Sequence, residues 1–280
     1  MKISIYRTLA LLLMVTGSFA FLYSCDDGSL NPLDFNAFSL ADDVALGAQL
    51  DSQVKADKNE YPILSNAAAQ AYVEAIFNEI LASPEIDYEN SFPYQVKIVK
   101  RDDIINAFAA PGGYVYVYTG LLKYIDNEAT LAAILAHEIG HCENRHATKR
   151  ITKSYGVQYV LDILLGDNSD QLVQLGSEIL TNLAFLKNSR DDEYEADESS
   201  FEYLKSTRWY PGASKYFFRK ILSTQAEDSS LVTVLLSTHP LSSDRIAAMD
   251  KLISDAKLAE PTEANLRSTE YKNFLTNILK

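Results

Sequence analysis

His137-Glu138-Ile139-Gly140-His141 closes the apolar run Ala129 to Ala136, and together they demand a helix carrying two imidazoles on one face. Residues four apart on a helix are neighbours. Both histidines therefore reach one metal ion, while the glutamate beside the first can hold an attacking water. This is the ligand pattern of a zinc hydrolase. It arises by chance in about one chain in a hundred of this length, so it gains weight only from a third ligand elsewhere.

A catalytic zinc keeps three protein ligands and leaves one position for water. The best source of the third is Ser189 to Asp197, a run that reads as a helix start. Glu193 and Asp197 are four apart and share a face, the first able to bind metal and the second to accept an N–H from a ligating histidine. Glu195 points about 200° away from Glu193 and is expected in solvent. His146, five residues past His141, is turned about 140° from it if the helix continues, and is given a structural role. Cys142 directly follows His141 and reads as a small packing residue rather than a ligand.

The amino terminus bears on location. Lys2 and Arg7 precede an apolar core from Leu9 to Val15, and the stretch ends in Leu22-Tyr23-Ser24-Cys25. Residues 1–24 read as a lipoprotein signal peptide, Cys25 as the lipidated residue, and 25–39 as a tether that includes Asn31-Pro32. Residues 40–280 then form a single domain. With Cys25 lipidated, Cys142 has no intrachain disulfide partner, since the chain has two cysteines. The net charge of −13 makes nucleic acid a poor partner, because phosphate contacts need clustered Lys and Arg.

A chain of 280 residues that is 47% hydrophobic can bury one core. Leu40 to Gly47 opens a helix and Ser65 begins another. Tyr94 to Lys100 alternates as a strand, Ile105 to Ala110 is a second, and Gly112-Gly113 turns into a third at Tyr114 to Thr119. Tyr155 to Leu165 and Leu172 to Leu186 read as packed helices or a lid, since each falls short of the roughly 20 apolar residues that span a membrane. Helices from about Ser242 to Ala256 and from Glu263 to Lys280 follow, with no short internal repeat. The expected class is α+β, mostly helical, with a small sheet of about three strands beside the His-Glu helix.

Several blocks occur together: Asn106-Ala107-Phe108-Ala109-Ala110-Pro111-Gly112-Gly113, Tyr118-Thr119-Gly120-Leu121-Leu122, the zinc motif, Arg145-His146, Ser189-Arg190, Glu193 to Asp197 and His239-Pro240-Leu241. In this order, from about Leu40 to about Ala248, the chain resembles the zinc endopeptidase family that includes the CAAX prenyl endopeptidase, HtpX, BepA and LoiP. The resemblance implies a gluzincin-like peptidase domain holding one zinc ion per chain and acting on polypeptides. The tandem helical repeats that some relatives append are not expected here.

The resemblance also implies that Asn106, Ala107, Phe108 and Ala109 form the substrate-pairing strand or its approach, the alternative being an ordinary core hairpin. It places Thr238 to Arg245 near the active site. There Arg245 or His239 would donate to the developing oxyanion, or His239 would swing to zinc and close the site. The residues alone allow a plainer outcome, in which His239 caps a helix and Arg245 pairs with a surface acid. The implied function is cleavage of unfolded or misassembled envelope proteins by a lipoprotein of the outer membrane facing the periplasm. It would touch the membrane through its lipid only and possess a route to envelope assembly machinery. A chaperone or assembly factor that binds polypeptides in the same groove without hydrolysis is the other class. It would have lost a ligand or the base, and this chain retains both.

Overall fold

The computed structural model describes residues 35–166, 169–181, 187–241 and 243–279. The expected signal peptide, Cys25 and most of the tether lie outside them, as do residues 182–186 of the expected Leu172–Leu186 helix, and Ser242.

Ser39 and Asp42 form a capping box that starts helix α1 (Leu40–Ala56), and Asn66 caps α2 (Ala67–Leu81). Strands β1 (Gln95–Val99), β2 (Ala107–Ala110) and β3 (Tyr114–Tyr118) follow, then the short α3 (Thr119–Tyr124) and α4 (Glu128–Glu143). The rest is helical: α5 (His146–Tyr155), α6 (Val157–Leu165), α7 (Ser169–Thr181), α8 (Arg190–Leu204), α9 (Ser214–Glu227), α10 (Thr233–Thr238), α11 (Ser243–Asp255), α12 (Glu263–Leu266) and α13 (Ser268–Asn277). The fold is α+β and mostly helical. No helix among the described residues is long and apolar enough to cross a membrane.

Positive-φ residues trim one expected helix, Tyr155–Leu165, at its start and break another, Glu263–Lys280. Gly156, at φ 84°, separates α5 from α6, and Arg267, at φ 54°, separates α12 from α13. Residues 36–39, expected in the tether, belong to the compact unit instead. Phe38 is buried, Asn36 donates to Thr148 Oγ1 at 2.9 Å, and the backbone of Ala37 donates to Thr152 Oγ1 at 3.1 Å. The compact unit thus begins at Asn36, because a buried aromatic and two hydrogen bonds outweigh the local absence of periodicity.

The sheet order is β1-β3-β2, with β3 parallel to β1 and antiparallel to β2, so β2 is an edge strand. Ala107 faces Val117 and Phe108 faces Tyr116 across the hairpin. Gly112, at φ 72°, makes the turn, and a Cβ there would lie 2.8 Å from the Cα of Val44 in α1. β2 packs on α4, which sets an edge strand beside the His-Glu motif.

α4 is the axis of the domain. Asn127 caps it by accepting from the Thr130 amide at 2.8 Å, and every residue from Glu128 to Glu143 is buried. Its buried Glu128 accepts hydrogen bonds from Tyr72, from Trp209 Nε1 at 2.9 Å and from Arg267 at 2.5 Å, which ties the carboxyl-terminal segment to the start of the motif helix. α8 lies along α4 because Gly140 presents no side chain: a Cβ there would meet Ser199 Cβ at 3.0 Å. That close approach brings Glu193 and Asp197 to the histidines.

Candidate metal centre

His137 and His141, one turn apart on α4, bring their Nε2 atoms within 3.0 Å of each other. Glu193 of α8 meets both, with Oε2 3.5 Å from His137 Nε2 and Oε1 3.4 Å from His141 Nε2. Zinc bonds of about 2.0–2.2 Å at tetrahedral angles set neighbouring ligand atoms about 3.4 Å apart, so these spacings suit one ion. All three side chains are buried. Glu138, beside them, has one carboxylate oxygen, Oε2, that is buried without a hydrogen-bond partner. A buried polar atom left unpaired is costly, and its place here fits a centre completed by an ion and water.

The outer nitrogens of both histidines are held. His137 Nδ1 lies 3.0 Å from Asp197 Oδ1, as the spacing of Glu193 and Asp197 predicts. His141 Nδ1 lies 2.8 Å from His146 Nδ1, and His146 Nε2 lies 3.0 Å from Glu195 Oε2. With protons kept on the outer nitrogens, His141 turns its Nε2 lone pair to the common point, and His137 would do so once a metal displaced its Nε2 proton. His146 does not enter the metal group, but its place is not the one that continued helical rotation gives. α4 ends at Glu143 and Arg145 adopts φ 55°, folding the chain back so that His146 faces His141. Arg145 is held in that conformation by Asp43 at 2.5 Å and the Phe38 carbonyl at 2.6 Å. Glu195 is exposed, as its rotation from Glu193 predicts, and it also bonds to His146.

Arg245 corrects a second expectation. Its guanidinium is buried and aimed at carboxylates: Nε and Nη2 donate to the two oxygens of Asp197 at 2.7 Å, and Nη1 donates to Glu193 Oε2 at 2.5 Å and to the Pro240 carbonyl at 3.1 Å. A fork spent on two carboxylates is not an open oxyanion donor, nor is it pairing at the surface. His239, at the end of α10, sits among the ligand atoms. Its Nδ1 is 3.0 Å from Glu193 Oε1, and its Nε2 is 3.6 Å from Glu138 Oε1. His137, His141, Glu193 and His239 each offer a ligand atom within 4.8 Å of one another and could together hold a metal ion.

One central residue carried no sequence signal. Asn188 is buried, donates to Glu193 Oε1 at 2.7 Å and lies 3.2 Å from His141 Nε2, while Arg150 donates to its carbonyl oxygen at 2.8 Å. It stands just before the cap Ser189, where an asparagine ordinarily serves a turn.

The electrostatics follow from burial and pairing. Burial pushes His137 down, but the hydrogen bonds to Asp197 and Glu193 outweigh it and carry it up to about 10. Burial, helped by the neighbouring His137 charge, holds His141 well below the usual imidazole range. Glu193 stays well below the carboxylate range, because His239, His137 and His141 overcome its burial. Glu138 is raised, chiefly by burial. The centre thus keeps an ionised carboxylate and a neutral imidazole ready for metal, beside a carboxylate made more basic by its surroundings.

Phe108, Ala109, Ala110 and Pro111 border an open cleft that also reaches Glu138, His141, His146 and His239. Of the strand residues expected to meet substrate, Phe108 and Ala109 therefore flank the centre. Ala107 shares a strand face with Ala109 but borders a separate cleft that reaches His137, and Asn106 is buried just before β2. Phe108 also stacks on Tyr116 and belongs to the core under either reading of the hairpin. Cys142 is buried, and burial pushes its thiol well up, as suits a packing residue.

Residues 67–253 match peptidase family M48. The chain is 26% identical over 228 residues to the mitochondrial metalloendopeptidase OMA1 of Schizosaccharomyces pombe, covering 81% of this chain and 66% of that protein. It is 28% identical over 223 residues to the beta-barrel assembly-enhancing protease of Escherichia coli K12, covering 76% and 44%. To the protein of that name in Yersinia pestis it is 30% identical over 220 residues, covering 75% and 43%. The match thus spans under half the length of the latter two relatives.

Proposed function

The chain belongs to peptidase family M48, its site has the composition of a metalloprotease centre, and on that premise we propose that it is a zinc-dependent endopeptidase. The observation that carries this is the convergence of His137 Nε2, His141 Nε2 and Glu193 on one point beside the unpartnered oxygen of Glu138. His137, His141 and Glu193 hold the ion. Zinc bound there would supply a Lewis acid that acidifies water and polarises a peptide carbonyl. Glu138 takes the proton from the attacking water and passes it to the leaving amine, and no acyl-enzyme is needed. Asp197 fixes the His137 ring, while Arg245 positions Asp197 and Glu193 rather than touching substrate. His239, already among the ligand atoms, closes the resting site as a further ligand. The edge of β2, from Ala107 to Ala109 with Asn106 leading into it, pairs with the backbone of an extended chain, which binds polypeptides with little regard to sequence. The direct test is zinc content together with cleavage of an unfolded protein, compared between wild type and Glu138→Gln.

We further propose that the substrates are unfolded or misassembled proteins of the cell envelope and that the protein is an outer-membrane lipoprotein anchored through Cys25. The similarity to beta-barrel assembly-enhancing proteases and the leader-like residues 1–24 support both, and envelope assembly machinery is the corresponding partner. Fatty-acid labelling should be present in wild type and lost in Cys25→Ser, since the thiol accepts the lipid. Labelling that persists in that variant would exclude Cys25.

A further inference from the structure

Asn188 is buried at the metal centre, outside the ligand set and distinct from the base. It stands just before α8, and its backbone amide donates to the Thr238 carbonyl at 3.0 Å, which anchors it against the end of α10. Its side-chain amide is held one way round. Arg150 Nη1 donates to Oδ1 at 2.8 Å, so the NH2 end faces the centre, with Nδ2 2.7 Å from Glu193 Oε1 and 3.2 Å from His141 Nε2. The reverse orientation would set the amide oxygen against the Glu193 carboxylate and donor against donor at Arg150.

Nδ2 carries two hydrogens, and the first goes to Glu193 Oε1. The second lies near His239 Nδ1, at 3.4 Å, but that nitrogen directs its own proton to Glu193 Oε1 at 3.0 Å, so His141 Nε2 is the acceptor. This is the lone pair that His141 gives up to a metal ion. Once it is given, the second N–H has no acceptor left among the described residues, and a buried donor without one is costly. An oxygen in the cleft can supply it. Asn188, Glu138 and the β2 residues Phe108 and Ala109 border the same cleft, so a chain paired to the β2 edge brings a peptide carbonyl to Glu138 and Asn188 together. The neighbouring cations are committed elsewhere: Arg145 to Asp43 and the Phe38 carbonyl, Arg245 to Asp197 and Glu193.

We propose that Asn188 is a catalytic residue whose second Nδ2–H donates to the peptide carbonyl oxygen as water adds to the carbonyl carbon and the C=O π pair moves onto that oxygen. The proposal rests on the endopeptidase reading above. A donor fixed in place before the charge develops needs no reorganisation when it does, which is what makes such donors effective. Arg150 is a positioning residue. Its guanidinium on Oδ1 prevents the amide from flipping and polarises it, so that the N–H at the other end becomes a stronger donor.

The test compares wild type with Asn188→Ala in three measurements: zinc affinity, hydrolysis of quenched fluorescent casein peptides at saturating zinc, and affinity for a phosphinic peptide, whose tetrahedral anion copies the charge that the carbonyl oxygen gains. At full zinc occupancy Asn188→Ala should lower kcat about 10²–10³-fold with KM held, and weaken the phosphinic peptide by a similar factor. Asn188→Asp has nearly the same shape but no donor, so it should restore none of the loss, and it carries the test if the alanine variant does not fold. Arg150→Met should lower kcat and phosphinic-peptide affinity in step, by less, with KM held. Wild-type kcat in Asn188→Ala at full zinc occupancy would overturn the proposal. So would a loss of activity that added zinc restores, since Asn188 would then only support Glu193. Zinc-loaded wild type that neither cuts the peptides nor binds the phosphinic peptide would overturn the endopeptidase reading and this proposal together, whereas cleavage that Asn188→Ala matches removes the proposal alone.

Discussion

His146 Nδ1 lies 2.8 Å from His141 Nδ1, so one histidine fixes the proton of another, and Glu195 completes the row 3.0 Å from His146 Nε2. For His141 to offer Nε2 to a metal, its outer N–H must donate to His146, which in turn donates to Glu195. The left-handed turn at Arg145 makes this row possible.

Removing that support should loosen the metal without removing a ligand. In His146→Ala, zinc affinity is expected to fall about 10–100-fold, the usual effect of losing a residue that orients a ligating histidine. Competition with a chromophoric chelator measures it. Affinity equal to wild type would mean that His146 only packs.

Arg245 neutralises two buried carboxylates, Asp197 and Glu193. Arg245→Ala should therefore cost about 3–5 kcal/mol of folding stability, because breaking a buried pair strands its charges. Arg245→Lys should restore little, since an ammonium cannot reproduce the planar fork. Denaturant titration of metal-free protein reads both. An unchanged stability, coupled to turnover per bound zinc lowered by about 10²–10³, would instead mark Arg245 as an oxyanion donor.

For His239 the position among the ligand atoms sets the sign. His239→Ala should raise basal cleavage of an unfolded substrate while zinc content holds, because it opens the position that His239 closes. Lower turnover at full zinc occupancy would give His239 a part in the transition state.

The parts of this architecture fixed by short-range periodicity were legible in the chain. His137 and His141, and likewise Glu193 and Asp197, share helix faces because four residues make about one turn, and Gly112-Gly113 announces the β2–β3 hairpin. What depended on breaks in periodicity was not legible. Rotation from His141 misplaces His146 because the helix stops at Glu143, and it leaves Glu195 without the partner that His146 becomes. Arg245 finds its carboxylates only through the packing of α11 on α8, and Asn188 enters the centre from a loop that no pattern distinguishes. Residues 36–38 read as tether because their contacts, with Thr148 and Thr152, lie more than a hundred positions away.

The central claim is that Glu138 moves protons while His137, His141 and Glu193 hold the metal. The most direct measurement is zinc stoichiometry and peptide hydrolysis on the same preparation of Glu138→Gln. One zinc per chain is expected, with hydrolysis reduced by several orders of magnitude, since an amide of nearly the same shape cannot act as the base. Hydrolysis near the wild-type rate in a verified variant would contradict the account.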